Sequence, residues 1–364
     1  MSKVSMGMLF FAAVSSAIII ANVLSAPRQA AFLGFDKFDD FKRTQMAAET
    51  VLESPEVDSG LDWNELIVSW DLLAAPGAHA VIAARAIYPD HATKYYVLGD
   101  WSPDDPERPR TSIKEQKDDD GNVLTDTLSL RVPSQKVQFQ IRVKPGKNAR
   151  VPELRFLGAS FCNTKLPSQP DVPNKAAWGK QVDNVPLRCQ GSYPGGGGWC
   201  SPTSLSMILT FWGQKLNRED LKKDVPEVAA GVFDNGFDGT GNWPFNSAYA
   251  GSFPGIRAYV TRFAGINELE DWIAAGIPVI VSGNLPLLEG KPLPPNDPGH
   301  IVVVVGFTVN GDPIFNDPGH RAVRQVYNRA DFQKAWDNSH RTVYLIYPEL
   351  QSLPSDRLGH WFVK

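Results

Sequence analysis

The chain has 364 residues, with 36 basic and 40 acidic side chains and a formal net charge of −4. This length predicts roughly two domains, and an apolar content of 43% excludes an intrinsically disordered chain. The slightly acidic balance, with no long basic run, argues against nucleic acid as the main partner. Three cysteines exclude a disulfide scaffold and a zinc site with four cysteine ligands.

The first 26 residues have the order of an export signal. Lys3 is followed by the mostly apolar stretch Met8–Ile20, and the next charge is Arg28. This order is typical of a secretory signal peptide. The charge-free run 4–27 is also long enough to span a bilayer, so an uncleaved signal anchor is the alternative. Both interpretations place the bulk of the protein outside the cytoplasm, either secreted or in the periplasm or cell envelope.

The next region has the pattern of a β domain. Residues 27–60 are polar and mixed, which predicts a poorly ordered leader. Within 61–163, apolar and polar residues alternate from Val137 to Val143, so one face of that strand is buried and the other is in water. Shorter apolar runs predict further strands at 66–70, 80–88, 95–98, 128–132 and 154–161. About seven short strands without a helix predict an antiparallel β-sandwich, which serves as a structural or interaction module or binds a ligand or the cell wall.

Residues 164–184 are rich in proline and predict a linker. Beyond it, Ser201–Trp212 has apolar residues at helical spacing. Further helices are predicted at 218–223 and 267–275, and strands at 278–282, 301–307, 313–316 and 343–347. A helix followed by antiparallel strands predicts an α+β domain over 185–350, with 351–364 as a C-terminal tail.

Cys200 lies in Gly-Gly-Gly-Gly-Trp-Cys-Ser-Pro, at the start of the first predicted helix. A thiol at a helix N-terminus feels unpaired N–H groups and the positive end of the helix dipole, and both favour the nucleophilic thiolate. The glycine run lets the backbone approach whatever lies before the thiol. The ordinary alternative is a buried structural cysteine.

His300 begins a very apolar strand, and Asp317 ends the next one. A carboxylate at that point can hold an imidazole in one tautomer. Together with Cys200 they would supply a nucleophile, a base and an orienting group. Asn310-Gly311 invites a two-residue turn, which would leave Asp317 about 13 Å from His300 along the strand. The triad therefore predicts a longer or bulged turn.

These segments resemble the papain-fold cysteine peptidases, and most closely their bacteriocin-leader-processing branch, family 39. The resemblance rests on Gly-Trp-Cys-Ser-Pro-Thr-Ser around Cys200, Gly-His-Ile-Val-Val-Val-Val-Gly-Phe around His300, and Asn-Asp-Pro around Asp317. It covers roughly 185–348. The stretch Gly239–Asn246 resembles the secreted bacterial members. Nothing resembles the transporter segments of the leader-processing members, so bacteriocin maturation is not implied.

The resemblance implies a papain-like domain without a cofactor. Cys200 would be the nucleophile, His300 the general base and Asp317 the orienting residue, with Asn316 as the runner-up. Gln190 is the candidate side chain for the oxyanion hole, with the backbone N–H of Cys200 as the other donor. The implied reaction is acyl transfer through a thioester, followed by hydrolysis.

Other residues have more ordinary alternatives. Trp199 and Trp243 are candidates for the substrate cleft, although a core position suits them equally. Cys162 and Cys189 flank the linker and could form a disulfide in an oxidising compartment, with two separate thiols as the alternative. The segment 234–239 has the look of a calcium loop, but it lacks the terminal Glu and therefore favours a plain turn.

The sequence therefore predicts an exported protein with a β-sandwich domain followed by an α+β, papain-like cysteine peptidase domain. The expected partner is a peptide or protein substrate, with no nucleic acid and with membrane contact only through an uncleaved N-terminal segment. One alternative is an amidase or transpeptidase that acts on cell-wall peptides with the same triad. Another is a non-catalytic binding protein on a peptidase fold.

Overall fold

The computed structural model describes residues 28–103, 109–146, 151–168 and 172–363, which form an all-β region followed by an α+β region. This is the predicted fold class. The predicted signal segment lies outside the described residues. Within the described ranges, no helix combines the length and the apolar character that crossing a bilayer requires.

Nine strands of the described residues form the N-terminal sheet. They are β1 (Ala30–Phe35), β2 (Lys42–Gln45), β3 (Thr50–Glu53), β4 (Val57–Leu73), β5 (His79–Ile87), β6 (Tyr96–Trp101), β7 (Gly121–Leu124), β8 (Thr127–Lys144) and β9 (Glu153–Cys162). The start of β8 pairs with β4 and β7, and its end pairs with β3 and β5. Because β8 pairs with strands at both of its ends, the two layers of the predicted sandwich are parts of one continuous sheet. This sheet folds over a shared apolar core.

The prediction that 27–60 is a poorly ordered leader was wrong. This segment contains β1, β2 and β3, of which β1 pairs with β9 and β3 with β8. Phe32, Phe41 and Leu52 are buried. These strands have only four to six residues, which is too short for a clear alternation, so their polar turns dominated the sequence pattern.

The C-terminal region contains a six-stranded antiparallel sheet within the described residues, in the order β10-β15-β11-β12-β13-β14. Its strands are β10 (Ile256–Arg262), β11 (Val279–Gly283), β12 (His300–Phe307), β13 (Pro313–Asn316), β14 (Arg324–Val326) and β15 (Thr342–Pro348). Its helices are α1 (Cys200–Lys215), α2 (Val225–Val232), α3 (Trp243–Gly251), α4 (Ile266–Ala274), α5 (Leu285–Leu288) and α6 (Arg329–Asp337). Both α1 and α4 pack against β12, and every residue of β12 is buried.

The two regions meet where β4 crosses β10, which is the edge strand of the C-terminal sheet. An edge strand carries unpaired N–H groups that need partners. The Ser69 hydroxyl accepts the Val260 N–H at 2.9 Å, and the Asp71 carboxylate accepts the Ala258 N–H at 3.3 Å. Asp71 also pairs with Arg257 at 3.0 Å. Side chains of the N-terminal sheet therefore complete the backbone bonding of the C-terminal one.

The described parts of the predicted linker and tail are also packed. Trp178 and Gln181 form bridges with Phe307 and Gly306 at the end of β12. In the tail, Trp361 is buried in the C-terminal core, and the Gly359 carbonyl accepts the N–H of Phe32 at 2.8 Å. The linker thus packs on the C-terminal sheet, and the tail fastens one region to the other.

Candidate active site

Helix α1 begins at Cys200, as predicted, directly after a 3₁₀ turn over Gly196–Gly198. Cys200 is a partly exposed residue with a free thiol. The turn lies close against the chain at Gln190, since a Cβ added at Gly196 would lie 2.1 Å from the Gln190 carbonyl oxygen. Only glycine fits at position 196, so this member of the glycine run has a steric reason.

His300 begins β12 and is held from behind by a carboxylate. Its Nε2 lies 2.7 Å from Oδ1 of Asp317, and both side chains are buried. The Ser204 hydroxyl, one turn into α1, donates to the Ile301 carbonyl at 3.1 Å. This bond ties the start of α1 to the start of β12, so Cys200 and His300 are brought together.

The predicted longer, bulged turn between β12 and β13 is confirmed. The loop runs from Thr308 to Asp312, and the Thr308 N–H donates to the Asp312 carbonyl at 2.8 Å. The pairing of the two strands shifts between Val304 and Gly306. Loop and bulge together bring Asn316 opposite Val303, and from there the Asp317 side chain reaches the His300 ring.

Asp317 has two further partners that the sequence did not indicate. The Tyr327 hydroxyl donates to Oδ2 at 2.6 Å, and the Gly319 N–H donates to Oδ1 at 2.8 Å. A Cβ added at Gly319 would lie 3.1 Å from Cε1 of His300. Tyr327 follows β14, a strand of three residues, and so short an element has no pattern that would have placed this hydroxyl.

The pKa values of these groups shift together. Burial alone would raise the pKa of the Cys200 thiol, but its interaction with His300 outweighs burial and lowers that pKa. Burial also opposes a charged imidazole, yet the bonds to Asp317 and Cys200 raise the pKa of His300 to about 10. The imidazole likewise holds the pKa of Asp317 below its usual value against the effect of burial. The arrangement favours a thiolate beside an imidazolium.

Asn316, the runner-up for the orienting role, points elsewhere. Its amide donates to the Pro186 carbonyl at 3.0 Å and accepts from Arg324 at 2.8 Å.

Gln190 lies between the glycine turn and the Asp317 turn. Its side-chain amide donates to the Gly197 carbonyl at 2.9 Å, and its backbone N–H donates to the Pro318 carbonyl at 2.9 Å.

The two tryptophans predicted for the cleft occupy different places. Trp199 is half-buried immediately before Cys200. Trp243 begins α3 and lines a groove of about 310 Å³ between the two regions, together with Leu124 and Arg262. Trp199 therefore lies beside the thiol, whereas the groove that Trp243 lines does not include Cys200.

The Cys162–Cys189 disulfide is not formed, because all three cysteines are free. Cys162 is buried in β9, level with Ala30 on one side and Glu65 on the other. Cys189 precedes the turn at Gln190 in the C-terminal region. Cys162 belongs to the N-terminal sheet and Cys189 to the C-terminal region. The prediction of a disulfide is therefore corrected to two separate thiols.

The segment 234–239 is a turn, as favoured from the sequence. The Asp234 carboxylate accepts N–H groups of Gly236 and Ser112 and the side-chain amide of Asn242. Protein donors thus occupy the oxygens that a calcium ion would need. Over the described part of the chain, no three His, Cys, Asp or Glu side chains are grouped so that they could hold a metal ion.

Two family models match the chain: the Peptidase C39-like family over residues 182–344, and the Peptidase C39 N-terminal domain over residues 28–162. Residues 182–344 belong to the C39-like peptidase family. The α+β region therefore has a cysteine peptidase fold, and the family implies a peptide or protein substrate. The all-β region is the N-terminal domain that accompanies it.

Two solved structures show weaker likeness. The crystal structure described as a C39-like peptidase from Bacillus anthracis is 21% identical, covers 46% of this chain and 98% of that chain, and has a TM-score of 0.32. The VPA0106 protein from Vibrio parahaemolyticus is 10% identical, covers 89% of each chain and has a TM-score of 0.15. These scores are too low to support an argument. No curated protein sequence matches the chain significantly.

Proposed function

We propose that this protein is an exported cysteine peptidase that hydrolyses peptide bonds with Cys200 as nucleophile, His300 as general acid and base, and Asp317 as the orienting residue. The observation that carries the proposal is the convergence of a thiol at a helix N-terminus with an imidazole held 2.7 Å from a buried carboxylate. Export rests on the composition of the first 26 residues.

In the first half of the reaction, the Cys200 thiolate attacks the carbonyl carbon of the scissile peptide bond. The C–N bond then breaks, and the imidazolium of His300 gives its proton to the leaving amine. The backbone N–H of Cys200 and the side-chain amide of Gln190 are the donors for the oxyanion. One N–H of the Gln190 amide binds the Gly197 carbonyl, which leaves its second N–H for this role.

In the second half, the neutral imidazole of His300 takes a proton from water as the water oxygen attacks the thioester. The C–S bond breaks, the acid product leaves, and the thiolate–imidazolium pair is restored. Asp317 keeps Nε2 bonded throughout, so that Nδ1 is the nitrogen that faces the thiol and moves the proton. If an amine of a cell-wall peptide replaces water, the same steps give transpeptidation.

The test compares the wild-type protein with Cys200→Ala and with the matched control Cys189→Ala. Each would be incubated with an unstructured protein substrate and, separately, with purified peptidoglycan. We expect Cys200→Ala to reduce hydrolysis at least about 1,000-fold with an unchanged circular dichroism spectrum, and Cys189→Ala to keep it. Hydrolysis retained by Cys200→Ala would falsify the assignment. Cleavage of peptidoglycan alone would favour the cell-wall amidase.

A further inference from the structure

One helix of the C-terminal region buries an aromatic side chain in the core of the N-terminal sheet. Phe245 of α3 is fully buried, with its ring centroid 5.4 Å from that of Trp101 and 6.1 Å from that of Trp70. A Cβ added at Gly99 of β6 would lie 2.9 Å from the Phe245 ring. The start of α3 therefore belongs to the N-terminal core, although it lies in the peptidase part of the sequence.

The loop before α3 is held by the same region. The Ser112 N–H donates to Oδ1 of Asp234 at 2.8 Å, and Oδ2 of Asp126 accepts the Trp243 N–H at 2.8 Å. Asp126 and Asp234 are buried, and burial raises the pKa of Asp126 to about 6. We call the segment 234–251, which comprises this loop and α3, the clasp.

The clasp reaches the turn before the nucleophile. The hydroxyl of Thr240 donates to the Gly198 carbonyl at 3.2 Å, and the Thr240 carbonyl accepts the side-chain amide of Asn246 at 2.9 Å. Gly198 lies two residues before Cys200. Hydrogen bonds and packing thus run without a break from the N-terminal core, through α3, to the entry of α1.

The glycine turn is bonded from outside at two carbonyls, that of Gly197 by the Gln190 amide at 2.9 Å and that of Gly198 by Thr240. A Cβ added at Gly197 or Gly198 would meet no atom of the described chain within 4 Å, so side-chain packing does not fix this part of the turn. Glycine also has the largest freedom of any residue to lose when a loop is ordered. The bond from Thr240 supplies a fixed point close to the thiol.

We propose that the N-terminal domain positions the nucleophile through the clasp, with Thr240 and Phe245 as positioning residues. The inference rests on the proposed role of Cys200. It gives the N-terminal domain a part in the reaction, which a separate recognition module would not have. It also gives a reason for the stretch Gly239–Asn246, which contains both residues and which the triad leaves unexplained.

The first test removes a single hydroxyl. Thr240→Val keeps the shape of the side chain but deletes the donor, whereas Thr240→Ser keeps the donor. We would measure the alkylation rate of Cys200 by iodoacetamide against pH, with peptide mass mapping to separate Cys200 from Cys162 and Cys189. We expect Thr240→Val to react about threefold to tenfold more slowly at neutral pH, the worth of one hydrogen bond, and Thr240→Ser to restore the wild-type rate.

The second test compares two rings of the same core. Phe245→Leu loosens the clasp, whereas Phe139→Leu removes a buried ring that packs on Phe35 in the same core and away from α3. Both should lower stability similarly, but only Phe245→Leu should slow Cys200 alkylation, by about tenfold or more. If Phe245→Leu does not fold, Thr240→Val decides alone.

The outcomes separate this inference from the function it rests on. A reactive Cys200 in the wild type, with unchanged rates in Thr240→Val and Phe245→Leu, would overturn the positioning role and leave the nucleophile in place. Equal slowing by Phe139→Leu would also overturn it, because the effect would follow general stability. A wild-type Cys200 no faster than an ordinary thiol would reject the nucleophile assignment and the inference together.

Discussion

The two sheets bury their central strands differently. In β8, Val137, Phe139 and Ile141 are buried and the residues between them are partly exposed. Water can therefore hydrogen-bond polar groups on the outer face. In β12, all eight residues are buried. A polar group beside such a strand must find its partner within the protein. Buried polar pairs are therefore fixed in place, and the pair formed by His300 and Asp317 is one of them.

The contrast is strongest for ion pairs. Asp71 is fully buried against Arg257 at 3.0 Å. Burial raises the pKa of Asp71 to about 7, although Arg257 and Arg155 pull it down. By comparison, Glu56 and Lys136 lie 3.6 Å apart on the solvent-exposed face of the N-terminal sheet, each with about half of its side chain exposed. The buried pair and the exposed pair should thus contribute very differently to the free energy of unfolding.

The largest effect is expected for Asp71→Ala. This change leaves the buried Arg257 with the more distant Glu349 at 3.4 Å as its carboxylate partner among the described residues, and the loss of one partner of a buried pair costs about 3 kcal/mol. Glu56→Ala, the exposed control, should cost less than about 1 kcal/mol. Urea unfolding at pH 8, where Asp71 is mostly ionised, measures both. Equal losses would show that burial does not govern these pairs.

The next effect is expected for Gly319→Ala. The added methyl group would lie 3.1 Å from Cε1 of His300 and 3.2 Å from Oδ1 of Asp317, so the imidazole or the carboxylate must give way by a few tenths of an ångström. We expect kcat to fall about tenfold to a hundredfold, with a small change in the free energy of unfolding. A kcat like that of the wild type would mean that His300 can move without loss, contrary to the fixed-pair account.

A smaller effect is expected for Tyr327→Phe. It removes the hydroxyl that donates to Oδ2 of Asp317 at 2.6 Å, which helps to lower the pKa of that carboxyl. We expect kcat to fall about threefold to tenfold with an unchanged KM, together with a shifted pH profile. Tyr88→Phe is the control on the N-terminal sheet, where the hydroxyl donates to the Val132 carbonyl. If both variants behave alike, Tyr327 is not a positioning residue.

Residues with a strong local pattern were predicted correctly from the sequence. The helical spacing after Cys200 placed the start of α1, and the continuous apolar run after His300 placed β12. The need to bring Asp317 level with His300 predicted the bulged turn. In each case the information lies within a few neighbouring residues, or in the geometry of a single hairpin.

The sequence did not indicate features that depend on distant contacts. Phe245 belongs to the core of the other region, and no spacing within α3 reveals its partners Trp70 and Trp101. The short strands β1–β3 are stabilised by pairing with β8 and β9. Their own residues carry no strand pattern, so the sequence predicted a leader there. Tyr327 reaches Asp317 only because β14 pairs with β13.

The most direct test of the central claim is the alkylation rate of Cys200 against pH in the wild type and in His300→Ala. The lowered thiol pKa predicts that wild-type alkylation stays fast well below the ordinary thiol pKa of about 8.5. It should slow only as falling pH protonates the thiolate. In His300→Ala the profile should return to that of an ordinary cysteine. Identical profiles in the two proteins, or a wild-type thiol that reacts only above its ordinary pKa, would contradict the thiolate–imidazolium pair.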